Sequence, residues 1–67
     1  MHKPHLHVVP YGSDWNIKRE GNEKAIATFK TQKEAFEKAR EMAKVEKCDV
    51  MIHGENGKIR ERYSYAD

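Results

Sequence analysis

The side chains with most chemistry to offer in this chain are its histidines and its one cysteine. His2, His5 and His7 crowd the start, in HKPHLH, His53 opens the turn-like stretch HGENG, and Cys48 stands between. Imidazole and thiolate bind divalent transition metals, and His5 and His7, two residues apart, project from one face of a strand. A metal centre needs three or four such groups converging, with further partners to orient them. Cys48 falls at the opposite parity of a distant strand, so no metal is expected. Nucleophilic catalysis would need Cys48 or Ser64 beside a base and an oxyanion hole. Cys48 follows a helix and reads as a small buried hydrophobe, and Ser64 sits in a short tail where its hydroxyl serves a turn. No carboxylate pair has the setting of an acid and a base, and no glycine pattern resembles a phosphate loop. The chain is therefore expected to be neither an enzyme nor the carrier of a cofactor.

A second pattern is cationic. Lys58, Arg60 and Arg62 fall on every second residue of KIRERYSY, the period of a strand, so they share one face. Aligned cations can follow the phosphates of a polyanion, but a solvated strand face also needs polar residues. The whole chain carries 13 Lys and Arg against 11 Asp and Glu, a net charge of +2. With a pI near 8.8 it is only mildly basic. Clustering, not the total, has to carry any argument for nucleic acid. Trp15, Phe29 and Phe36 are needed for a core, whereas Tyr65, near the end, is the aromatic best placed to meet a partner.

The elements that position these groups follow from alternation and turn chemistry. HLHVVP and WNIKRE flank YGSD and form a first hairpin in which Val8 faces Ile17 and Pro10 faces Trp15 on the core side. His7 opposite Lys18 and Val9 opposite Asn16 take the other side. A Gly21-Asn22 turn leads to a third strand, AIATF, residues 25–29, and a three-residue loop would set Phe29 beside Trp15. Thr31, with Glu34 three residues on, caps a helix over residues 32–46. Ala35, Phe36, Ala39, Met42 and Ala43 form its buried stripe, and its lysines, arginines and glutamates face water. Residues 49–53 and 58–63 form a last hairpin about GENG. Either a four-residue loop or an Asn56-Gly57 two-residue turn puts Val50, Ile52, Ile59 and Tyr63 on the core side. Asp49, Met51, His53, Lys58, Arg60 and Arg62 then emerge together on the other. On this reading Ile52→Ala is costly and Met51→Ala much less so.

The 67 residues allow one small domain, 1–67, with a short tail from residue 64. A chain this short buries only about 60% of its unfolded surface, too little for two cores or an enclosed active site of ordinary size. No stretch is long and apolar enough to cross a membrane, the start lacks a signal-like apolar run, and one cysteine cannot form an internal disulfide. A cytoplasmic setting is expected.

HVVPYGSDWNIKREG, TQKEAFEKAR and VMIHGENGKIRERYSY, in that order, resemble a small bacterial family, domain-of-unknown-function family 2188, over nearly the full length. The chain departs from the family's usual pattern at Ala66, where Ser-Tyr ordinarily runs into glycine. A more distant likeness is to the YegP-type domains, and it implies β-rich units with one helix that associate through a shared sheet.

The fold expected is α+β: an antiparallel sheet, in chain order β-β-β-α-β-β, with one helix packed on one face. The helix-free face is the candidate surface, with His5, His7, Lys18, His53, Lys58, Arg60 and Arg62, and with Tyr65 beside it. Two functions fit. One is a weak polyanion-binding module that meets nucleic acid or an acidic protein through that face. The other is an interaction protein that forms a homodimer or binds another protein through a sheet edge or its open face.

Overall fold

A computed structural model describes residues 4–65. The elements run β1 (Leu6–Tyr11), β2 (Asp14–Arg19), β3 (Ala25–Phe29), α1 (Gln32–Glu46), β4 (Asp49–His53) and β5 (Ile59–Ser64). His2 of the metal reading and the end of the tail, Ala66 and Asp67, lie outside the described residues. No helix among the described residues is long and apolar enough to cross a membrane.

Both expected hairpins form. β1 and β2 pair antiparallel with Val8 opposite Ile17 and Pro10 opposite Trp15. The connection is shorter than YGSD: Tyr11 pairs with Asp14 across Gly12 and Ser13, and Gly12 takes φ +61°, which glycine adopts without steric cost. β3 sets Phe29 opposite Trp15, and a bulge at Ile26 shifts the pairing nearer the turn, where Lys18 meets Ala25.

The helix starts and stops where its caps require. Thr31 is extended, and its hydroxyl accepts from Glu34 N–H at 3.1 Å. The return half of the capping box is altered, since Glu34 Oε1 accepts from the Thr31 hydroxyl at 3.3 Å. At the far end Lys47 takes the left-handed conformation, φ 57°, and its N–H donates to Ala43 O. Ala35, Ala39 and Ala43 are fully buried against Leu6, Val8, Ile17, Val50 and Ile52. Methyl side chains on that stripe let the helix lie close to the sheet. Arg19 fixes its last turn with a two-pronged contact to Glu46, at 2.7 and 2.9 Å.

The five strands form one sheet in the order β3-β2-β1-β4-β5, and β1 and β4 are parallel. The expected all-antiparallel sheet is thus corrected to a mixed one. A strand–helix–strand crossover returns the chain to the end from which it set out, so β4 runs with β3. Two hairpin reversals make β3 run with β1, and β4 therefore runs with β1 as well.

The last hairpin uses neither expected loop. Gly57 N–H donates to Gly54 O at 2.9 Å, Gly54 N–H donates to Lys58 O at 2.8 Å, and Gly57 has φ +84°, a three-residue loop closed by a left-handed glycine. An odd loop alone would exchange the two faces of β5. A bulge at Arg60 restores them, so Val50 pairs with Tyr63 and Ile52 with Glu61. Ile59 lies before the bulge and pairs with His53, which leaves it 58% exposed rather than in the core. A second correction concerns the helix-free face, which is not wet at its centre: Met51 is 6% exposed and Asn16 and Asp49 are 4% exposed. In the interior of a five-stranded sheet, neighbouring side chains cover these positions without a second layer.

Burial therefore replaces parity as the guide to stability. Ile52→Ala and Met51→Ala should each cost about 2–5 kcal/mol. Ile59→Ala should stay within about 0.5 kcal/mol. Urea melts of the three variants measure the differences, and a costly Ile59→Ala would show that β5 is packed differently.

Candidate functional site

The parallel register brings His7 of β1 directly beside Met51 of β4, with His53 two residues further along. His7 Nδ1 and His53 Nε2 lie 2.8 Å apart, and the two rings are tilted by 43° with centroids 5.1 Å apart. His53 Nδ1 is 2.8 Å from Gly57 O, and His7 Nε2 is 3.1 Å from Glu20 Oε1. Lys18 is the direct cross-strand neighbour of His7. These groups, with Val9 below and the 20–23 turn at one side, line a shallow cavity of about 470 Å³ on the helix-free face.

The other cations of the expected surface are placed elsewhere or are spent. Arg62 donates to Asp49 Oδ2 through Nε at 2.9 Å and through Nη2 at 2.5 Å. Its guanidinium, and after it the Ser64 hydroxyl, hold the Asp49 carboxyl below the usual carboxylate range. Arg60, the bulge residue, donates to Gln32 Oε1 at 3.3 Å, at the start of the helix. Lys58 stands at the exposed end of the loop. His5 precedes β1, and its Nδ1 accepts from Asp49 N–H at 2.9 Å. Tyr65 is on the helix side: it packs against the core, with Lys44 Nζ 6.0 Å from its ring centre. The expectation that Tyr65 stands free beside the basic face is thus corrected. Residue 65 has the parity of Tyr63, whose ring packs at a tilt against Phe36 with centroids 4.9 Å apart.

Sequence comparison agrees with the motif order. Residues 6–65 match the family described as "Uncharacterized protein conserved in bacteria (DUF2188)". The chain belongs to this family. A relative from Bacillus subtilis (strain 168), "Uncharacterized protein YdaT", is 30% identical over 56 residues, which cover 84% of this chain. The chain spans 37% of the length of that relative. No solved structure matches.

Of the expected residues, then, the fold of this family member brings together His7, Lys18 and His53. It leaves His5, Lys58, Arg60, Arg62 and Tyr65 in other settings. Two groups went unread in the sequence. Glu20 shares the strand parity of Lys18, two residues on, and a residue diagonal to a cross-strand pair is within reach of a long side chain. Asp49 pairs directly with Ser64 and lies diagonal to Arg62, whose direct partner is Met51, so their contact depends on the reach of the arginine. Among the described residues, no three His, Cys, Asp or Glu side chains are placed to hold a metal ion. Cys48 is fully buried, and burial pushes its thiol pKa up, away from the thiolate that a nucleophile requires.

The Asp49 shift has a defined sign. A carboxyl lowered in the folded state contributes stability above its unfolded value near 3.8, and that contribution is lost as pH falls through the lower folded value. Arg62→Gln should therefore destabilise the domain by about 1–3 kcal/mol at neutral pH, because it strands a buried carboxylate. The gap between variant and wild type should narrow below pH 3.8. Denaturant melts at neutral pH and at acid pH measure it, and a gap that persists unchanged in acid would mean that Asp49 is not the group involved.

Proposed function

We propose that the domain is a non-catalytic binding module whose helix-free face takes an anionic group of a partner, with the phosphates of nucleic acid as the anion. The observation that carries this reading is the convergence of His7, Lys18 and His53, from three adjacent strands, on one shallow cavity. Arg19 and Arg62 are tied to Glu46 and Asp49, which leaves Lys18 as a lysine whose ammonium is free to meet a ligand there. Trp15, Phe36, Tyr63 and Tyr65 belong to the helix side, and Tyr11, exposed at the end of β1, is the aromatic that shares the face of His7 and Val9. Contact through phosphate, indifferent to base sequence, suits that geometry. A reducing cytoplasmic setting fits the free, buried Cys48.

Few cations imply a shallow salt dependence. Two to three neutralised phosphates give a slope of log affinity against log salt of about −2 on single strands. Lys18→Gln should weaken binding and reduce that slope by about one. Fluorescence anisotropy with labelled single- and double-stranded DNA and RNA, beginning at low salt, provides the test. Absence of salt-sensitive binding by the wild type, or a folded Lys18→Gln variant that binds equally well, overturns the reading. Binding confined to an acidic protein would shift the partner class.

A second reading rests on β5. This edge strand is exposed along its whole length and carries Ile59 and Tyr63, and the helix meets it at side-chain tips, through Phe36 at Tyr63 and Gln32 at Arg60. Unpaired edge N–H and C=O groups beside apolar side chains suit strand addition by a second copy or another protein. Sedimentation velocity in the micromolar range should then show a dimer, and a monomer throughout that range removes self-pairing.

A further inference from the structure

Three contacts on the helix-free face run end to end. The Gly57 carbonyl meets His53 Nδ1 at 2.8 Å, His53 Nε2 meets His7 Nδ1 at 2.8 Å, and His7 Nε2 meets Glu20 Oε1 at 3.1 Å. Both ends of this row are acceptors, since a peptide carbonyl cannot donate and an ionised carboxylate cannot either. Each contact needs a proton between its atoms, so the row needs three. Two neutral imidazoles bring two. With those alone one contact fails: His53 Nδ1 presents a bare lone pair to the carbonyl, the two rings present bare lone pairs to each other, or His7 Nε2 presents one to the carboxylate. The row closes only with one further proton, shared by the two histidines and balanced by the negative charge of Glu20.

We infer that Glu20 is a built-in stand-in for the partner's anionic group: it keeps the His7–His53 pair protonated while the site is empty, and a phosphate oxygen replaces it at His7 Nε2. This rests on the anion-binding reading above and names how that site is regulated. The geometry of Glu20 suits displacement. Its N–H donates to His5 O at 2.8 Å, which fixes the backbone, while its side chain is 55% exposed and can swing into water without disturbing β2. Lys18, opposite His7, supplies a second cation to the same phosphate. The remaining charged groups around the row do not supply its proton. Glu23, on the same turn, lines the cavity, and Arg19 is held by Glu46. From the β4–β5 side Arg62 is held by Asp49, Lys58 follows Gly57 in the loop, and His5 spends Nδ1 on Asp49 N–H.

A distinctive consequence concerns protons. In the wild type the third proton is aboard before the ligand arrives, so binding takes up almost none. In Glu20→Gln the introduced amide can donate to His7 Nε2, the empty row closes with two protons, and an arriving phosphate must draw the third from water. Nitrogen-15 spectra of the His7 and His53 rings at near-neutral pH should show three protonated ring nitrogens in the wild type and two in Glu20→Gln. Calorimetry with a single-stranded oligonucleotide in two buffers of different ionisation enthalpy should show proton uptake rising from near zero to near one per site. Affinity of the variant should rise several-fold at about pH 6, because a neutral amide has replaced the anionic competitor. Inorganic phosphate, titrated alongside, separates recognition of free phosphate from recognition of the phosphodiester chain. Two ring protons in the wild type, or a variant with unchanged affinity and proton uptake, overturns the inference. If neither oligonucleotide nor phosphate binds the wild type, the anion-binding reading falls and the displacement step with it, while the ring-proton count still decides whether Glu20 holds the proton.

Discussion

The pairing of β1 with β4 makes one domain out of two hairpins. A hairpin is held in register by its own turn, but nothing local brings Leu6 to Val50 or Val8 to Ile52. These pairs form because a 15-residue helix carries the chain back across the sheet and buries all four side chains under Ala35, Ala39 and Ala43. The same register sets His7 beside β4 on the opposite face, within reach of His53. Core and candidate site are thus the two sides of one parallel pair. A change that loosens Val8 or Ile52 on the helix side would also part the histidines.

Charge is used inside the fold before any is offered to a partner. Arg19 joins β2 to the end of the helix through Glu46, and Arg62 joins β5 to β4 through a carboxylate that is almost fully buried. Breaking a buried pair by removing one partner is costly, because the remaining charge is left without water, so Asp49 discriminates against other registers of β5. An every-second-residue run of cations looks like a ligand surface in one dimension. In the folded chain Arg62 fixes a strand, Arg60 marks a bulge and braces Gln32, and Lys58 stands at the loop.

What could be read in the sequence were the features that neighbouring residues decide. Thr31 and Glu34 set the start of the helix, alanine spacing set its buried stripe, and alternation set the pairs of the first hairpin, each at a range of a few residues. The parallel pair was readable in principle, because one helix between two strands implies a crossover, but an antiparallel sheet satisfies the same alternation. The compensation in the last hairpin was not readable. A three-residue loop and the Arg60 bulge each reverse parity, and only together do they return Tyr63 to the core side and expose Ile59. Counting strand parity from the turn therefore placed Val50 and Tyr63 correctly while misplacing Ile59. Of the candidate site, alternation alone paired His7 with Lys18. The approach of His53 and Glu20 depended on strand order and on side-chain reach.

A single helix leaves one sheet face uncovered, and the way that face is satisfied separates structural from functional polarity. Its central strands are too closely flanked for water to reach every group, so polar side chains meet laterally across strands. The Thr28 hydroxyl donates to Asn16 Oδ1 at 2.7 Å, and the Arg62 guanidinium meets the Asp49 carboxylate. In each of those pairs the ordinary ionisation states supply a donor for every acceptor that is engaged, and the contact is complete whether or not a partner is present. The His53–His7–Glu20 row differs, because its three contacts cannot all be made by neutral rings beside an ionised carboxylate. A structural polar pair has no need of a borrowed proton, and an apolar pair at these positions would have met the packing requirement at lower electrostatic cost. On the proposal above, the place of that row at the edge of a shallow cavity, with one end on a half-exposed glutamate, is what separates the proposed site from the lateral pairs beside it.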